Sequence, residues 1–455
     1  MRMTSTAQST KVAATRRAGD GVGADLTMLA VQAVLVGCAV IVGAYLNHRR
    51  VPIHADAAPL FATWLPHVGP GTPVAIAIAV LVVYWGPAWA ARLRWRRLLV
   101  GGYLMALAWT LSLALIDGWS RGLATRLTPQ AEYLHDVPKV TSIPAMLAGF
   151  TSHIIDFRPL SWATHVAGHP PGALLVFVVL DRIGLGGGAP AALLCVLVGA
   201  AAPVAVAVTL RALRDETAAR AALPFLVLFP GAVWVGASAD GLFTGVLATG
   251  LALLAVGGWR PAAAGGVLLG FSLYLSYGLG LAGPLALAVI VLKPRARRAT
   301  TAAAAAGALA VVVAFTAAGF WWPTGYHLVV ARYYQGWAAE RPYSYWVWAD
   351  LACLILSAGP AVVPALRRAA AAAVRQWPSP ATRSPALWLP ALALLAILAA
   401  DLSGLSKAEV ERIWLPYEIW LIPATAWLPA AQRRPWLAVQ ALTALAVNHL
   451  LLTNW

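Results

Sequence analysis

The chain has 455 residues, of which 60% are hydrophobic and 11% are charged, and its mean hydropathy is +0.74. Soluble globular domains are about 45–50% apolar and about 25% charged, so this composition excludes a water-soluble enzyme. The formal net charge is +16. No basic–aromatic nucleic-acid motif accompanies it, and basic residues between apolar runs are typical of membrane proteins, so we expect membrane lipids and no nucleic acid as partners.

Apolar runs long enough to cross about 30 Å of hydrocarbon recur along the chain and predict an all-α polytopic membrane protein with about 13 transmembrane helices. The predicted spans are 26–46, 73–90, 98–116, 188–210, 221–239, 241–258, 261–277, 279–293, 300–319, 345–364, 386–402, 414–430 and 436–452. A further apolar stretch, 172–185, is too short for a span. We predict that it forms a helix that dips into the outer leaflet or lies along it.

The positions of the basic residues predict the orientation of the chain, because Lys and Arg in short loops mark the cytoplasmic side. Residues 1–25 are polar and basic, and no cleavage site follows the first apolar run, so we expect a retained cytoplasmic tail. If 172–185 does not cross, about 22 of the 33 basic residues are cytoplasmic. We therefore predict a multi-pass plasma-membrane protein with a cytoplasmic N-terminus and an extracytoplasmic C-terminus.

Three parts follow from this topology: the tail 1–25, two N-terminal spans within 26–97, and a catalytic module over 98–455. Two long outer loops, 117–187 and 320–344, interrupt the module. The first loop is rich in Trp, Phe, Tyr, His and Pro, a composition that argues against disorder and favours short juxtamembrane helices. All nine histidines lie on or near the outer side, where we expect the chemistry.

The first loop and a later turn supply the first candidate residues. Asp117 lies where a span meets the loop, and it is either a helix-end acid or a carboxylate base at the membrane boundary. Glu132 and Asp136 offer a second carboxylate candidate. His169 opens a His-Pro-Pro-Gly sequence whose two prolines hold the backbone and start a helix. Asp240 lies in an outer turn as an N-cap or a functional acid.

The second half of the outer side is rich in aromatic and charged residues. Tyr and Trp beside an Arg stack on sugar faces and pair with phosphate. Charges entering a span are costly in lipid, so those between 406 and 420 should face a cavity or one another. Glu411 and Glu418 share a helix face if the helix continues through Pro416. The candidates in this half are His327, Tyr333, Arg341, Lys407, Glu409, Glu411 and Arg412, with Glu418 deeper.

Four features together resemble the GT-C superfamily of membrane glycosyltransferases. They are Asp117 at the start of a long outer loop, His169-Pro170-Pro171-Gly172 near its end, Asp240 at a later outer turn, and Ser276-Tyr277-Gly278 in a following span. The superfamily includes protein O-mannosyltransferases, aminoarabinose transferases and actinobacterial envelope mannosyl- and arabinosyltransferases. The Ala-, Arg- and Trp-rich composition and Glu-Val-Glu-Arg-Ile-Trp-Leu-Pro look like the actinobacterial members.

The resemblance implies inverting transfer from a polyprenyl-phosphate sugar donor to an envelope glycan, glycolipid or protein acceptor. It implies Asp117 as the base, with Asp136 or Asp56 as alternatives and His169 beside it. The residues assigned to donor phosphate binding are Arg412, Lys407, Arg341, His327 and Tyr277, and those assigned to the acceptor or to positioning are Asp240, Glu409, Glu411 and Tyr333. No cofactor is assigned, and the resemblance leaves open whether a divalent metal takes part.

Two other classes of function compete with this interpretation. A transporter or lipid-linked glycan flippase should carry ionisable residues at mid-bilayer, for which only Glu418, Asp350 and Asp181 are candidates. A structural subunit of an envelope-assembly complex would not need its outer loops to converge. The glycosyltransferase interpretation predicts that Asp117, His169, Asp240 and Arg412 surround one outward cavity.

Overall fold

The computed structural model describes residues 21–293, 297–375 and 384–454. Seven helices within these ranges are long and apolar enough to cross a membrane, and an eighth crossing results if one sharply bent pair is counted as a span. The protein is therefore an all-α multi-pass membrane protein, as predicted. Most of the predicted N-terminal tail, residues 1–20, lies outside the described residues.

The seven long helices account for about half of the predicted spans. They are Val22–His48, Thr72–Arg92, Trp95–Asp117, Gly188–Ala212, Ala239–Val256, Arg298–Ala317 and Pro385–Leu402. Two of them contain a change of helix type or a short break. The other α-helices are Ile143–Gly149, Thr164–Ala167, Pro171–Arg182, Glu216–Val227, Ala232–Val235, Trp259–Leu275, Gly283–Leu292, Trp322–Tyr333, Tyr343–Ala358, Val362–Arg375, Val410–Ile413, Leu415–Glu418 and Arg433–Leu450.

The predicted span 345–364 is bent rather than straight. Tyr343–Ala358 ends at Gly359, and Val362–Arg375 continues at an angle of 95°. Gly359 has φ +94°, and a Cβ there would lie 1.9 Å from Oε1 of Gln440. The Gln440 carboxamide instead accepts a hydrogen bond from the Ala361 backbone (3.2 Å). The helix therefore turns where only glycine fits.

The predicted span 414–430 is not a single helix. It consists of the short helix Leu415–Glu418 and the 3₁₀ helix Ile422–Trp427, and it is preceded by Val410–Ile413. Proline has no N–H to donate to a preceding turn, and Pro416 and Pro423 begin two of these pieces. The condition under which Glu411 and Glu418 would share one helix face, a helix continuous through Pro416, is therefore not met.

The first long loop is helical in short pieces, as predicted. In addition to Ile143–Gly149 and Thr164–Ala167 it contains a π-helical turn, Ser120–Ala124, and the 3₁₀ turns Tyr133–His135, Val137–Lys139 and Phe150–His153. The short apolar stretch forms the helix Pro171–Arg182, which packs closely on Trp259–Leu275. A Cβ at Gly172 would lie 2.5 Å from the Tyr274 carbonyl oxygen.

Two short strands were not predicted. Ala62–Trp64 and Leu451–Thr453 pair antiparallel, with Thr63 opposite Leu452. The pairing attaches the segment between the first two long helices to the end of the described chain. Nearby, the Tyr345 hydroxyl donates to the Ala39 carbonyl (2.9 Å), so the first helix is packed against the rest of the protein.

The polar connections gather at two ends of the helices. One end, which we call the site face, contains the connecting segments 49–71, 115–170, 318–342 and 403–412 and the strand pair, which are joined to one another by hydrogen bonds and ion pairs. The other end, the basic face, carries the Arg-rich connections. There Arg220 donates to the Ala90 carbonyl (2.7 Å), and Asp25 pairs with Arg367 (2.6 Å).

Candidate functional site

Arg412 is the centre of a buried ionic network at the site face. Its side chain is 7% exposed. Nη1 donates to Asp240 Oδ2 (2.7 Å), and Nη2 donates to Glu409 Oε2 (2.7 Å) and to His165 Nε2 (3.1 Å). His165 Nδ1 in turn lies 2.8 Å from Glu132 Oε1. Arg412 therefore joins Asp240, the first long loop and the 403–412 segment.

The hydrogen bonds around His165 indicate its tautomer. An arginine N–H can only donate, so Nε2 of His165 accepts and carries no proton. The ring proton is then on Nδ1, where it donates to Glu132. Burial alone would raise the pKa of Glu132, but His165 and Arg412 outweigh it and lower that pKa. Glu132 is therefore an ionised acid that orients the imidazole.

The segment that carries Arg412 is held in an unusual backbone conformation. Ala408 and Glu409 both have positive φ, +66° and +62°. Arg341 Nη1 donates to the Lys407 carbonyl (2.9 Å) and to Glu409 Oε1 (3.1 Å). The Tyr333 hydroxyl accepts from the Lys407 backbone N–H (2.9 Å). Residues predicted to bind the donor and acceptor thus stabilise this turn.

Lys407 points away from Arg412. Its Nζ donates to the Arg341 carbonyl (3.1 Å) and to the Ala338 carbonyl, and it lies 5.5 Å from the centre of the Tyr334 ring. Burial lowers the pKa of Lys407. The lysine is therefore part of the same network, but as a link to the second long loop.

His169 lies beside the Arg412 network and is buried against aromatic rings. Nδ1 lies 2.7 Å from the His165 carbonyl and 2.9 Å from the Tyr133 hydroxyl, and the Phe243 ring centre is 5.5 Å away. Burial lowers the pKa of His169 to about 4. The imidazole is therefore neutral at physiological pH.

Asp117 lies in a separate ionic cluster. Oδ1 is 2.7 Å from His67 Nε2, and Oδ2 accepts from Arg126 Nη2 (2.7 Å). Arg126 also donates to the Thr453 carbonyl (2.6 Å), which places the cluster against the strand pair. Among the described residues no hydrogen bond or ion pair joins Asp117 to Arg412. Of the four residues that were predicted to surround one cavity, Asp240, Arg412 and His169 therefore lie together, and Asp117 lies in a different cluster.

Asp136 connects two parts of the first long loop. It is fully buried, its Oδ2 accepts from the Ala163 backbone N–H (2.6 Å), and its Oδ1 pairs with Lys139 (2.5 Å). Both oxygens have protein partners. The loop conformation that brings His165 to Arg412 depends on this contact.

Tyr277 and His327 lie in an aromatic patch. Tyr277 is buried with its ring centre 5.2 Å from Trp322 and 5.9 Å from Tyr326, whereas His327 is exposed. Within the described ranges no hydrogen bond or ion pair connects either residue to Arg412. Their predicted donor role would therefore be separate from the ionic network.

The sequence-based candidate sites did not include His165, His67 or Arg126. His165 lies four residues before His169, a spacing that places two side chains on one side of a helical turn. That signal, together with a charged residue inside an aromatic-rich loop, could have identified the His165–Glu132 pair. Nothing local in the sequence indicates that His67 meets Asp117, because the contact is between distant segments.

A cavity of about 290 Å³ borders the first long loop. Leu134, Val137, Phe177, Leu180 and Asp181 are among its lining residues. The Phe177 ring also packs on Tyr133, with ring centres 5.2 Å apart, so one aromatic layer separates the cavity from His169. Most of the residues that line this cavity are apolar, and none of them belongs to the Arg412 network.

The network can hold or exchange an anion but is poorly suited to a metal. Three cations, Arg412, Arg341 and Lys407, are balanced by Asp240, Glu409 and Glu132. No group of three His, Cys, Asp or Glu side chains in the described part of the chain is arranged to hold a metal ion.

Neither a protein-family model nor a curated protein matches this chain.

Proposed function

We propose that this protein is an integral membrane glycosyltransferase of the GT-C type. It moves a sugar from a polyprenyl-phosphate donor to an envelope glycan, glycolipid or protein acceptor on the outer side of the plasma membrane. The observation that carries the proposal is the convergence of both long outer loops and the 403–412 segment on one buried ionic network: His165 contacts Arg412 directly, and Arg341 reaches it through Glu409. A purely structural subunit does not need such a convergence.

In the proposed reaction the acceptor hydroxyl loses its proton to a carboxylate, and its oxygen attacks the anomeric carbon in one inverting step. Polyprenyl phosphate leaves. A guanidinium at the leaving phosphate stabilises the charge that develops there. Because Arg412 already pairs with Asp240 and Glu409, the phosphate would replace one of these carboxylates, so donor binding would rearrange the network.

The proposal includes about 13 crossings with the basic face in the cytoplasm, following the positive-inside rule. Two observations support this topology. Within the described ranges, consecutive polar connections alternate between the basic face and the site face. The broken segment 410–427 begins at the site face. The helix Val362–Arg375 carries its arginines along the basic face, where Arg368 pairs with Asp25.

A proton-coupled transporter is the second candidate function. The observation in its favour is a set of buried acids that have no cationic ion-pair partner among the described residues, including Asp350 (1% exposed) and Glu418 (fully buried). Ionisable groups within membrane segments are typical of proton and ion pathways. Uptake of a solute into vesicles without sugar transfer would favour this alternative.

The direct test uses purified protein with labelled polyprenyl-phosphate sugars and membrane extract as the acceptor. The wild type is expected to consume at least one donor. Arg412→Lys keeps the charge but loses the planar fork that serves three partners. We expect it to transfer at least about tenfold more slowly, which corresponds to about 1.4 kcal/mol of transition-state stabilisation.

Arg158→Lys is the matched control, because Arg158 is an exposed residue of the same loop system. It should transfer at the wild-type rate. If no donor is consumed by folded wild-type protein, the proposal is wrong. Equal rates in the Arg412 and Arg158 variants would remove Arg412 from the donor site.

A further inference from the structure

Three buried acids lie directly behind the Arg412 network. Glu411 and Glu418 are fully buried and Asp350 is 1% exposed. Each accepts a hydrogen bond from another part of the chain. The donors are the Phe61 backbone N–H to Glu411 Oε1 (2.9 Å), the Ser357 hydroxyl to Glu418 Oε1 (2.7 Å) and the Ala408 backbone N–H to Asp350 Oδ1 (3.3 Å).

The second oxygens of two of these acids have no hydrogen-bond partner. Oε2 of Glu411 and Oε2 of Glu418 are buried without a donor among the described residues. Asp117, Glu409 and Asp240 differ from them, because cations pair with those carboxylates. A buried ionised oxygen without a donor costs free energy, and binding a proton removes that cost.

The charges that face Glu411 are mostly negative. The titratable and charged groups around Glu411 come from three elements: Glu409 and Arg412 beside it in the chain, Asp350 and Cys353 from Tyr343–Ala358, and Glu418 from Leu415–Glu418. Two further groups, Arg341 and Asp401, lie close to Asp350. The single adjacent cation, Arg412, is itself neutralised by two carboxylates. Burial raises the pKa of Glu411 to about 7, the range in which a general base works best at neutral pH.

Resting on the proposed glycosyltransferase function, we infer that Glu411 Oε2 receives the proton that the acceptor hydroxyl loses during sugar transfer. The acceptor O–H bond breaks and its proton binds Oε2. The acceptor oxygen forms a bond to the anomeric carbon. The bond from that carbon to the phosphate oxygen breaks, and its electron pair stays on the leaving polyprenyl phosphate.

Glu411 connects the segment that carries Arg412 with the 49–71 segment of the site face. It is adjacent in the chain to Arg412, which is proposed to hold the leaving phosphate, and it lies on the same four-residue helix, Val410–Ile413. Its other oxygen is held by Phe61, in the 49–71 segment of the site face. Since Glu411 is fully buried, the acceptor reaches it only when that segment moves.

Infrared spectroscopy of the protein without substrate tests whether Glu411 binds a proton. In the wild type, the carbonyl-stretch band of a protonated carboxylic acid should disappear with a midpoint near pH 7, from the value of about 7 given above for Glu411. Glu411→Gln should lack that titrating band. Glu216→Gln, the same change at a partly exposed acid on the basic face, should retain it. An unchanged band in Glu411→Gln overturns the inference.

Transfer assays test the second half of the inference. Glu411→Gln should reduce kcat by at least about a hundredfold, the usual contribution of a general base, with little change in donor binding. Asp117→Asn should keep more activity than Glu411→Gln if it remains folded. The reverse order of activities would make Asp117 the proton acceptor and overturn the inference.

The outcomes separate the two proposals. If the wild type transfers no sugar, the proposed function fails, and the infrared titration still shows whether Glu411 binds the proton. If the wild type is active and Glu411→Gln is equally active, the inference fails alone. Glutamine keeps the acceptor for the Phe61 N–H, so folding is expected. If Glu411→Gln does not fold, Glu411→Asp replaces it in the test. Glu411→Asp must then shift the pH midpoint of kcat, and an unshifted midpoint overturns the inference.

Discussion

At the scale of single residues, the site is defined by charges that neutralise one another inside the protein. Removing one member of a buried ion pair typically costs about 3–5 kcal/mol, because its partner stays buried and unpaired. Arg412 has two such partners, Asp240 and Glu409. Truncation variants at Arg412 would therefore mix instability with lost activity, whereas Arg412→Lys retains the charge.

His169 provides a pH prediction. Burial lowers its pKa from 6.5 to about 4, so in that window the unfolded chain binds a proton that the folded protein does not. Stability should then fall as the pH falls from 6.5 toward 4. His169→Gln should reduce this loss, measured as the thermal midpoint in detergent. The exposed His327→Gln is the control, and a pH dependence identical to wild type in His169→Gln would contradict the assignment.

At the scale of elements, breaks in helices create the site. The chain from Val410 to Trp427 is divided by prolines into short pieces, and this division leaves Glu411 and Arg412 on a helix of four residues. A continuous transmembrane helix would instead place such charges along a face in lipid, at several kcal/mol each. The irregular backbone is tolerated because the surrounding helices bury it.

Gly359 is the clearest test of an element boundary. Its φ of +94° and ψ of +149° belong to a region that only glycine adopts readily, and a Cβ would collide with Gln440. Gly359→Ala should therefore cost about 1–3 kcal/mol from backbone strain alone, measured as a lower thermal midpoint. Gly37→Ala, with open space around its Cα, should be neutral. Equal midpoints for the two variants would contradict the 95° turn.

At the scale of the whole molecule, the charge divides between two faces. Most of the excess positive charge belongs to connections on the basic face, where ion pairs such as Arg220–Glu216 (2.8 Å) are partly exposed. The site face instead buries a balanced set of charges around Arg412. The positive charge thus indicates orientation, and the chemistry is proposed where the charges balance.

Cysteine labelling in intact cells tests this orientation. In a variant without native cysteines, Gln130→Cys lies exposed on the site face and Arg94→Cys lies exposed on the basic face. A membrane-impermeant maleimide should label position 130 in intact cells and position 94 only after lysis. The helix Trp95–Asp117 is the one crossing between these two positions, so they should lie on opposite sides of the membrane. If position 94 were labelled first, the proposed topology would be inverted.

Much of the helical framework was predictable because apolar runs of about 20 residues have few alternatives in lipid. The bounds of Val22–His48, Thr72–Arg92 and Pro385–Leu402 follow the predicted spans within a few residues. The bend at Gly359 and the broken 410–427 segment were not predicted. Hydropathy averages the polarity of the side chains over a window of the sequence. It contains no information on which backbone N–H and C=O groups form hydrogen bonds.

By itself, the amino-acid sequence determined the class of protein and the approximate positions of the seven long apolar helices, because these depend on composition along the chain. Only the tertiary structure decided which of those residues meet. The Arg412–Asp240 contact joins positions 172 residues apart, and Phe61 meets Glu411 across 350 residues. Such contacts depend on how helices pack, and no local pattern encodes that packing.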